Sequence, residues 1–495
     1  MDKLMNARSC RIFGIGSFLA FSLSMLIGHE EEAADHIFLF AKAGLILISA
    51  CLFLVSCHKD SSPRIKSGYA FLSLAVLIYQ LMLIASAGRQ VLYIRDYPAI
   101  LSLIVWTVSS LIAVVRFGGT ITAFLSDALK DRGTRTLIIA STLLSAIVII
   151  LSAEPNGVRF SWDSDTLYEF IYGRGYESLF DAKQLTFHSH VSIVYAYMLV
   201  LFKLFFGDIR TGYFVLNALC IIAAAFGMMF LMRRLAPGKR NISYILSAAM
   251  FMLSPWVCGM STYHMYDYYI WCLIPLLFFY ASKKNWIGFF AVGVMITFSK
   301  TTGLAVFGSA CLGVLSVDAW SYLKAHEGFG RTVKNLFTDI KYWCFLCVLI
   351  VFTLFFKLGI SEDTQFEDTT IGFDAAHTLH QMKLFTFSNF IWIFVAASAV
   401  LLIMVITKKI SLDNGQQETL LALLVCDAVF FIFNCLCITY RMPRYMDSHI
   451  AVVYIGAAFL FLEMKNEKAA HALTVIITAV TFIGGFRMID PLSLA

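Results

Sequence analysis

Residues 211–232 have the sequence TGYFVLNALCIIAAAFGMMFLM, which carries no charged side chain and ends directly before Arg233 and Arg234. A helix needs about 20 mostly apolar residues to cross the hydrocarbon core of a bilayer, whereas a strand of a membrane barrel needs about 10 alternating ones. The stretch has the length for a helix, and arginines directly after such a stretch are typical of its cytoplasmic border. It therefore predicts a transmembrane helix.

Composition extends this prediction to the whole chain. Of its 495 residues, 59% are hydrophobic and only 14% are charged, compared with roughly a quarter charged in soluble proteins. A soluble fold of this length lacks the polar surface to cover so many apolar side chains, and the apolar interior of a bilayer removes that requirement. We expect an all-α polytopic membrane protein with about 13–15 transmembrane helices, an acidic loop on the outer face and interfacial helices.

The charges and cysteines exclude other classes. The formal net charge of +6 is expected to reside in cytoplasmic loops, so no nucleic-acid partner is predicted. The 12 cysteines lie in or beside apolar segments, which favours small buried side chains over disulfides or a zinc site. The first apolar segment lacks a small-residue cleavage site followed by a soluble domain, and we expect it to stay in place as the first helix.

Similar apolar stretches recur along the chain, separated by short polar clusters. The predicted spans are 12–28, 36–57, 67–87, 98–115, 135–152, 211–232, 241–258, 268–282, 286–298, 302–317, 342–357, 388–407, 418–438, 449–464 and 470–486. Clusters of lysine and arginine precede the first span and follow every second span. They are Lys3–Arg11, Lys59–Lys66, Arg116–Arg135, Arg233–Arg240, Lys283–Lys284, Lys324–Lys341, Lys408–Lys409 and Lys465–Lys468.

This distribution of positive charge predicts the topology. With a cytoplasmic N-terminus, every cluster falls on the cytoplasmic side. Residues 191–206 are apolar enough to span, but a span there would move the Arg233–Arg240 cluster outside. We therefore expect 191–206 to lie in or dip into the outer interface, with the long side chain of Lys203 reaching water. The predicted location is the plasma membrane of a bacterium, with an internal eukaryotic membrane as the alternative.

Two polar loops, 153–190 and 358–387, are predicted on the outer side, together with cations that depart from the orientation rule. These cations are Arg89, Arg95, Arg159, Arg174, Lys183, Arg210, Lys300, Lys357, Lys383, Arg441, Arg444 and Arg487. Each is either a solvated loop charge or a candidate for binding an anion. Lys300 differs from the others because it lies between two apolar half-segments, where a charge requires a partner.

The first outer loop contains Trp162, Asp163 and Asp165, two carboxylates two residues apart beside a tryptophan. An extended chain would place both carboxylates on one face, and a helix would separate them. A positioned carboxylate can accept a proton from a hydroxyl nucleophile. Alternatively, Ser161, Asp163 or Ser164 could cap a helix that begins near Thr166.

Other polar residues are predicted near the same surface. His188 and His190 close the first loop and could share a metal with His264, or with His377 and His380, so a divalent metal is possible although no cofactor is required. The candidates predicted to lie near the plane of the outer membrane surface are Asp163, Asp165, His188, Arg210, Asp267, Lys300, Arg441 and Arg444. Carboxylates beside cations at headgroup depth suit a substrate that carries a lipid phosphate, which the cations would hold.

The block 155–305 resembles the GT-C superfamily of membrane glycosyltransferases, which includes the aminoarabinose transferases and the protein O-mannosyltransferases. The residues that carry the resemblance are Asp165-Thr-Leu-Tyr168 after Trp162 and Asp163, His188-Ser-His190, Leu204-Phe-Phe-Gly207, Arg210, Leu216-Asn217, Arg233-Arg234, Ser254-Pro255, Asp267, and Lys300 with Gly303. The usual second acid is missing, since Thr166 follows Asp165, and so are the prolines after His188. The base is therefore either Asp165 or Asp163.

The resemblance implies a polyprenyl-phosphate-linked sugar as donor, an unknown glycan, lipid or protein as acceptor, and inversion at the anomeric carbon. Lys300, Arg210, Arg441 and Arg444 would hold the leaving phosphate, and Asp267 would orient donor or acceptor. His188, His190 and Trp162 would also line the substrate site. The implied organisation is N-terminal helices in 1–134, a GT-C-like module in 135–320 and C-terminal helices in 321–495.

Two other classes of function remain open. A transporter or lipid flippase would also contain broken helices and intramembrane charges, and Asp427, in the middle of span 418–438, is the residue that this hypothesis would use. A catalytically inactive relative that kept the fold would explain the missing second acid. Membrane lipids are expected partners in every case.

Overall fold

The computed structural model describes residues 7–27, 36–57, 63–152, 162–186, 192–259, 261, 266–325, 328–359, 376, 383, 390–437 and 447–486. Within these ranges the chain forms helices and turns and contains no strand. The α-helices are α1 (Ala7–Leu26), α2 (His36–Ser56), α3 (Pro63–Ile94), α4 (Tyr97–Lys130), α5 (Arg132–Ser152), α6 (Trp162–Tyr172), α7 (Ile193–Phe206), α8 (Ile209–Leu235), α9 (Asn241–Met252), α10 (Tyr266–Ser282), α11 (Trp286–Thr297), α12 (Thr301–Lys324), α13 (Phe329–Thr338), α14 (Ile340–Gly359), α15 (Ile391–Ile406), α16 (Asn414–Cys437), α17 (Asp447–Glu463) and α18 (Glu467–Phe486). Two short 3₁₀ turns, Tyr176–Leu179 and Ala182–Leu185, lie between α6 and α7.

The helices confirm the expectation of a polytopic membrane protein. In the described part of the chain, nine helices are long and apolar enough to cross a membrane, namely α2, α3, α4, α5, α8, α12, α14, α16 and α18. Every predicted span overlaps a helix of the structure. The helices α3 and α4, with 32 and 34 residues, are longer than the spans predicted for them, because polar residues continue each helix beyond its apolar stretch.

Polar contacts gather several of the basic clusters at one end of the bundle. Arg233, at the end of α8, lies 3.0 Å from the carboxylate of Asp131, which separates α4 from α5. Lys284 follows α10 and lies 3.0 Å from the carboxylate of Glu418, in the first turns of α16. We call this the basic end, and we call the opposite end, which carries α6 and the 3₁₀ turns, the loop end. That the basic end faces a cytoplasm stays a prediction.

The buried apolar side chains form two clusters. The smaller one joins the N-terminal helices through side chains such as Ile46, Phe53, Trp106 and Phe117. The larger one runs through the rest of the bundle, from Leu26 in α1 to Leu462 in α17. Helices of the predicted module and of the C-terminal part therefore share one core, and the boundaries predicted near 135 and 320 stay a prediction.

Glycines allow the tightest helix contacts in this core. A Cβ atom on Gly303 would lie 1.9 Å from the carbonyl oxygen of Ile296, and one on Gly293 would lie 2.0 Å from the ring of Phe307. Both glycines therefore permit α11 and α12 to pack as a close antiparallel pair. The turn between these two helices contains Lys300.

Candidate functional site

The turn between α11 and α12 buries a lysine. The side chain of Lys300 is 2% exposed, although it belongs to a residue type that is almost always on the surface. Lys300 is the N-cap residue of α12 with an extended backbone (φ −163°, ψ 159°), and its carbonyl accepts a hydrogen bond of 2.9 Å from the amide of Gly303. The turn thus fixes a cation inside the bundle.

Helix length gives the depth of this lysine. Helix α11 has 12 residues, so Lys300 lies about 18 Å from the basic end along the helix axis. A bilayer core is about 30 Å thick. That Lys300 lies near the plane of the outer membrane surface stays a prediction.

The N-termini of α7 and α12 adjoin at this turn. The amide of Val194, in the first turn of α7, donates a hydrogen bond of 2.9 Å to the carbonyl of Phe298. The ring of Tyr195 packs edge-on against the ring of Tyr269, in the first turn of α10, with 4.6 Å between centroids. Lys300 caps α12 next to the N-terminus of α7, and the first turn of α7 in turn contacts the start of α10. We call this region the break site. Each helix N-terminus adds partial positive charge there.

Asn217 ties α8 to the break site. Its side-chain amide donates 2.9 Å to the carbonyl of Ser261, and its oxygen accepts 2.7 Å from the hydroxyl of Tyr269. The amide thus bridges the middle of α8 to the segment that leads into α10. This contact explains why an apolar span carries an asparagine. From the sequence, Asn217 was identified only as part of the Leu216-Asn217 pair that carries the resemblance.

The acidic segment of the first loop is helical. Trp162, Asp163 and Asp165 lie in the first turn of α6, while their side chains are outside the described part of the structure. The extended conformation, in which both carboxylates were expected on one face, is therefore not the conformation of this segment. Asp163 and Ser164 lie inside α6, which already begins at Trp162, so they do not cap it, while Ser161, the third candidate for the cap, lies outside the described residues.

The two acidic positions of α6 are in line with later residues of the helix that differ in burial. Leu167 and Ile171 are fully buried, whereas Glu169 is exposed. Position 163 lies one turn before Leu167, and position 165 lies one turn before Glu169. The buried face of α6 therefore runs through position 163.

Lys203 holds the other end of α6. Its amine donates hydrogen bonds of 3.0 Å to the carbonyl of Ile171, 2.7 Å to that of Tyr172 and 2.7 Å to that of Arg174. We predicted that this amine reaches water from an interfacial helix. Lys203 is half-exposed, and its amine binds carbonyls at and just after the C-terminus of α6, of which that of Ile171 also accepts a bond from the amide of Arg174.

Helix α7 dips into the protein. It buries one face along its whole length, and its buried residues are Ile193, Tyr195, Ala196, Leu199, Val200, Leu201 and Phe202. Its N-terminus reaches the break site and its C-terminus reaches the end of α6. Its apolar face is covered by neighbouring helices, and the prediction that the segment lies in or dips into the outer interface stays a prediction.

The remaining predicted residues fall into two groups. Asp267 is the second residue of α10, so its backbone belongs to the break site, while its side chain is outside the described part. Arg210 is exposed at the start of α8, beyond the far end of α7, and α7 is about 21 Å long. The structure therefore does not bring Arg210 to Lys300. His188, His190, Arg441 and Arg444 lie outside the described residues.

The predicted metal site stays a prediction. Among the residues that the structure describes, no group of three or more histidine, cysteine, aspartate or glutamate side chains could hold a metal ion. The histidines proposed as ligands lie outside those residues, and they are His188, His190, His264, His377 and His380.

A polar pair of one buried and one half-buried side chain joins α16 to α17, and sequence reasoning identified only its acidic member. The Nδ1 atom of His449, near the start of α17, contacts the carboxylate of Asp427 in α16. The rings of Phe430 and Phe431 lie edge-on to the imidazole, at 5.8 Å and 5.5 Å. Asp427 follows Glu418 of the basic end by nine residues, or about 13 Å of helix, so the pair lies inside the bundle. The signal was an acidic residue in the middle of an apolar span, but nothing in the sequence identified its partner.

Lys42 was also missed. It lies in the predicted span 36–57 and is 4% exposed. Its amine donates 2.8 Å to the carbonyl of Phe180, between the two 3₁₀ turns, and 2.9 Å to that of Ile27. A single lysine in an otherwise apolar span was the available signal. The contact attaches the first loop to the N-terminal helices.

Comparison of the chain with protein-family models, with curated proteins and with solved structures returned no match.

Proposed function

We propose that the protein is a membrane glycosyltransferase of the GT-C type that moves a sugar from a polyprenyl-phosphate donor to an acceptor. One observation carries the proposal, namely that Lys300 is buried at the N-terminus of α12, next to the N-terminus of α7. A cation together with helix N-termini suits a phosphate. Because the site lies within the bundle, it suits a phosphate whose lipid chain remains in the hydrocarbon layer.

The reaction needs one base and one stabilised leaving group. The acceptor oxygen or nitrogen would bond to the anomeric carbon while the bond from that carbon to the phosphate oxygen breaks, with inversion. The proton of the acceptor would pass to an aspartate of α6, and the polyprenyl phosphate would leave with both electrons of the broken bond. Lys300 would stabilise the charge that develops on the departing oxygen. Asp267, at the start of α10, would orient donor or acceptor.

Of the two acidic candidates, Asp163 is the better candidate for the base. Its position lies on the register of the buried residues Leu167 and Ile171, whereas Asp165 lies on the register of exposed Glu169. A base must reach a substrate that is shielded from water. Arg210 is not proposed as a phosphate ligand, because it lies at the opposite end of α7. Arg441 and Arg444 keep the predicted role of second phosphate ligands.

The test is transfer of labelled sugar in membranes supplied with polyprenyl-phosphate donors. We expect Lys300→Met and Asp163→Asn each to lower the rate by about 100-fold or more. We expect Asp165→Asn to lower it much less. The matched control is Lys183→Gln, which removes an exposed cation of the first loop. Transfer that survives both Lys300→Met and Asp163→Asn would contradict the proposed site.

A proton-coupled transporter or lipid flippase is the second candidate, and the Asp427–His449 pair favours it. An ionisable pair inside a helical bundle is typical of proton pathways. If the protein is a transporter, Asp427→Asn should abolish substrate movement in vesicles while Lys300→Met leaves a residual rate. If it is the proposed transferase, Asp427→Asn should leave sugar transfer measurable. A catalytically inactive relative would show neither activity.

The location in a bacterial plasma membrane with a cytoplasmic N-terminus belongs to the same proposal. It places the donor phosphate near the outer leaflet, where α6 and the first loop lie. The acceptor would be a glycan, a lipid or a protein of the cell envelope.

A further inference from the structure

A second cavity lies at the loop end, away from the break site. It has a volume of about 600 Å³ and opens between the last turns of α3, the first 3₁₀ turn and the C-terminal half of α7. The residues of its wall that matter here are Arg89, Gln90, Tyr93, Tyr176, Glu177 and Leu204. Leu204 belongs to the last turn of α7, whereas the break site is at the first turn. The two sites are therefore separated by most of that helix.

The mouth of this cavity is apolar. Tyr93 is 88% exposed, and the neighbouring side chains Leu92 and Ile94 are 63% and 58% exposed. Phe205 and Phe206, directly after Leu204, are also exposed. Exposed tyrosines and other large apolar side chains at the ends of membrane helices are typical of the headgroup boundary of a bilayer. Such a mouth suits the level where lipid headgroups join their acyl chains.

The wall of the cavity carries both signs of charge. Arg89 comes from α3, and Glu177 comes from the first 3₁₀ turn. A Cβ atom on Gly175 would lie 2.3 Å from a carboxylate oxygen of Glu177, so the glycine allows this carboxylate to fold back over the start of the turn. A guanidinium group is a strong phosphate ligand, and a carboxylate accepts hydrogen bonds from an ammonium group.

We infer that this cavity binds the headgroup of an aminophospholipid of the phosphatidylethanolamine class. Arg89 holds the phosphate, Glu177 accepts hydrogen bonds from the ammonium group, and the acyl chains lie along Leu92, Ile94 and the phenylalanines of α7. A purely anionic headgroup would place its charge beside Glu177. A soluble phosphoester would leave the apolar mouth uncovered. The inference is independent of the proposed transferase activity.

Lipid binding to the purified full chain tests this inference. The protein, stripped of lipid in detergent, is titrated with phosphatidylethanolamine, phosphatidylglycerol or phosphatidylcholine, and bound lipids are counted by native mass spectrometry. We expect one site that prefers phosphatidylethanolamine over phosphatidylcholine by about tenfold. Soluble phosphoethanolamine at millimolar concentration should not compete, because it lacks the chains that occupy the mouth.

Three variants and a control separate the parts of the site. Arg89→Gln should lower the affinity for all three phospholipids by about tenfold. Glu177→Gln should remove the preference for phosphatidylethanolamine and raise the binding of phosphatidylglycerol. Gly175→Ala, which changes no charge but displaces the Glu177 carboxylate, should also remove that preference. Lys183→Gln should change nothing, since Lys183 is an exposed cation of the same loop that does not line the cavity.

Two results would overturn the inference. One is equal binding of phosphatidylethanolamine and phosphatidylcholine by the unaltered chain. The other is unchanged lipid affinity in Arg89→Gln together with a preference for phosphatidylethanolamine that Glu177→Gln leaves intact. Arg89 is exposed and Glu177 half-buried, so both variants are expected to fold, and an unchanged midpoint of thermal unfolding verifies this for each.

Discussion

The burial of Lys300 is expected to lower the stability of the protein while it provides the cation that the proposed function needs. A buried ammonium group is destabilising even when it is paired, and its replacement by an apolar side chain of similar length is often neutral or stabilising. We therefore expect Lys300→Met to unfold at the same temperature as the unaltered chain or higher, by up to several degrees. The measurement is thermal unfolding in detergent.

The unfolding temperature of Lys300→Met is to be compared with its rate of sugar transfer. A variant that is as stable as the native chain and inactive would identify Lys300 as a functional cation. A variant that unfolds well below the native midpoint would instead identify it as part of the structural framework, and the proposed phosphate site would lose its support.

Gly303 allows a second prediction at the residue scale. A Cβ atom there would lie 1.9 Å from a backbone oxygen, which cannot move without separating α11 from α12. We expect Gly303→Ala to destabilise the protein by about 1–3 kcal/mol, as other overpacking substitutions do. The midpoint of thermal unfolding measures this effect.

The chain offers a matched control in the same helix. A Cβ atom on Gly308 would meet no atom within 4 Å. Gly308→Ala should therefore be neutral or should stabilise α12 by up to about 1 kcal/mol. Equal losses of stability in the two variants would show that the close approach at Gly303 does not matter.

At the scale of elements, α6 depends on a lysine from another helix. The amine of Lys203 is the donor to three carbonyls at its C-terminus. Since α6 has only 11 residues and isolated helices of that length are marginal, we expect Lys203→Met to loosen α6 selectively. Hydrogen exchange of residues 162–172 should become about tenfold faster or more, with little change in α8.

The control for this prediction is Lys183→Met, which removes an exposed lysine of the same loop. It should leave the exchange of α6 unchanged. Uniform faster exchange throughout the protein in Lys203→Met would show a general loss of stability, and the idea of a local cap would be wrong.

The elements also show which structural features a sequence can predict. The membrane helices were predictable because length and hydropathy alone determine them. The true length of α4 was not, because its last turns are amphipathic and lie beyond the apolar stretch that marked the span. The cap on α6 was not predictable either, because Lys203 meets carbonyls about 30 residues earlier in the chain. Only tertiary packing brings the two together.

The sequence likewise predicted only part of the candidate site. Lys300 was found because a charge between two apolar segments is visible in sequence. The contact of its turn with α7 was not found, since the amide of Val194 reaches the carbonyl of Phe298 only through tertiary packing. The Asp427–His449 pair shows the same limit, because the pairing register of two neighbouring helices is not contained in the residues of either one.

At the scale of the whole molecule, ion pairs at the basic end tie separate helices together. The hydroxyl of Thr134 and then the guanidinium of Arg233 hold the pKa of Asp131 well below its ordinary value. A carboxylate whose pKa is lowered on folding stabilises the protein above its unfolded pKa, which is about 3.9, and this contribution is lost as the pH falls below that value. Asp131 is exposed, so the effect is expected to be small.

This predicts how the stability of Asp131→Asn depends on pH. The variant should unfold at a lower temperature than the native chain at pH 7, and the difference should shrink as the pH falls from about 4 towards the lowered pKa of Asp131. Thermal unfolding in detergent between pH 3 and pH 7 measures it. Asp127→Asn, at an exposed position one turn earlier in α4, is the control, and a difference that stays constant with pH would contradict the prediction.

The contact between Lys42 and Phe180 has a consequence for anyone who shortens this chain. The first four helices look like an appendage when the chain is divided by its motifs. However, the amine of Lys42 binds a backbone carbonyl of the first loop, 138 residues further along the chain. Expressing the remainder alone would leave that carbonyl without its donor and uncover the side of the loop that now faces α2. The N-terminal helices thus help to hold the first loop in place, and the smallest functional fragment should include them.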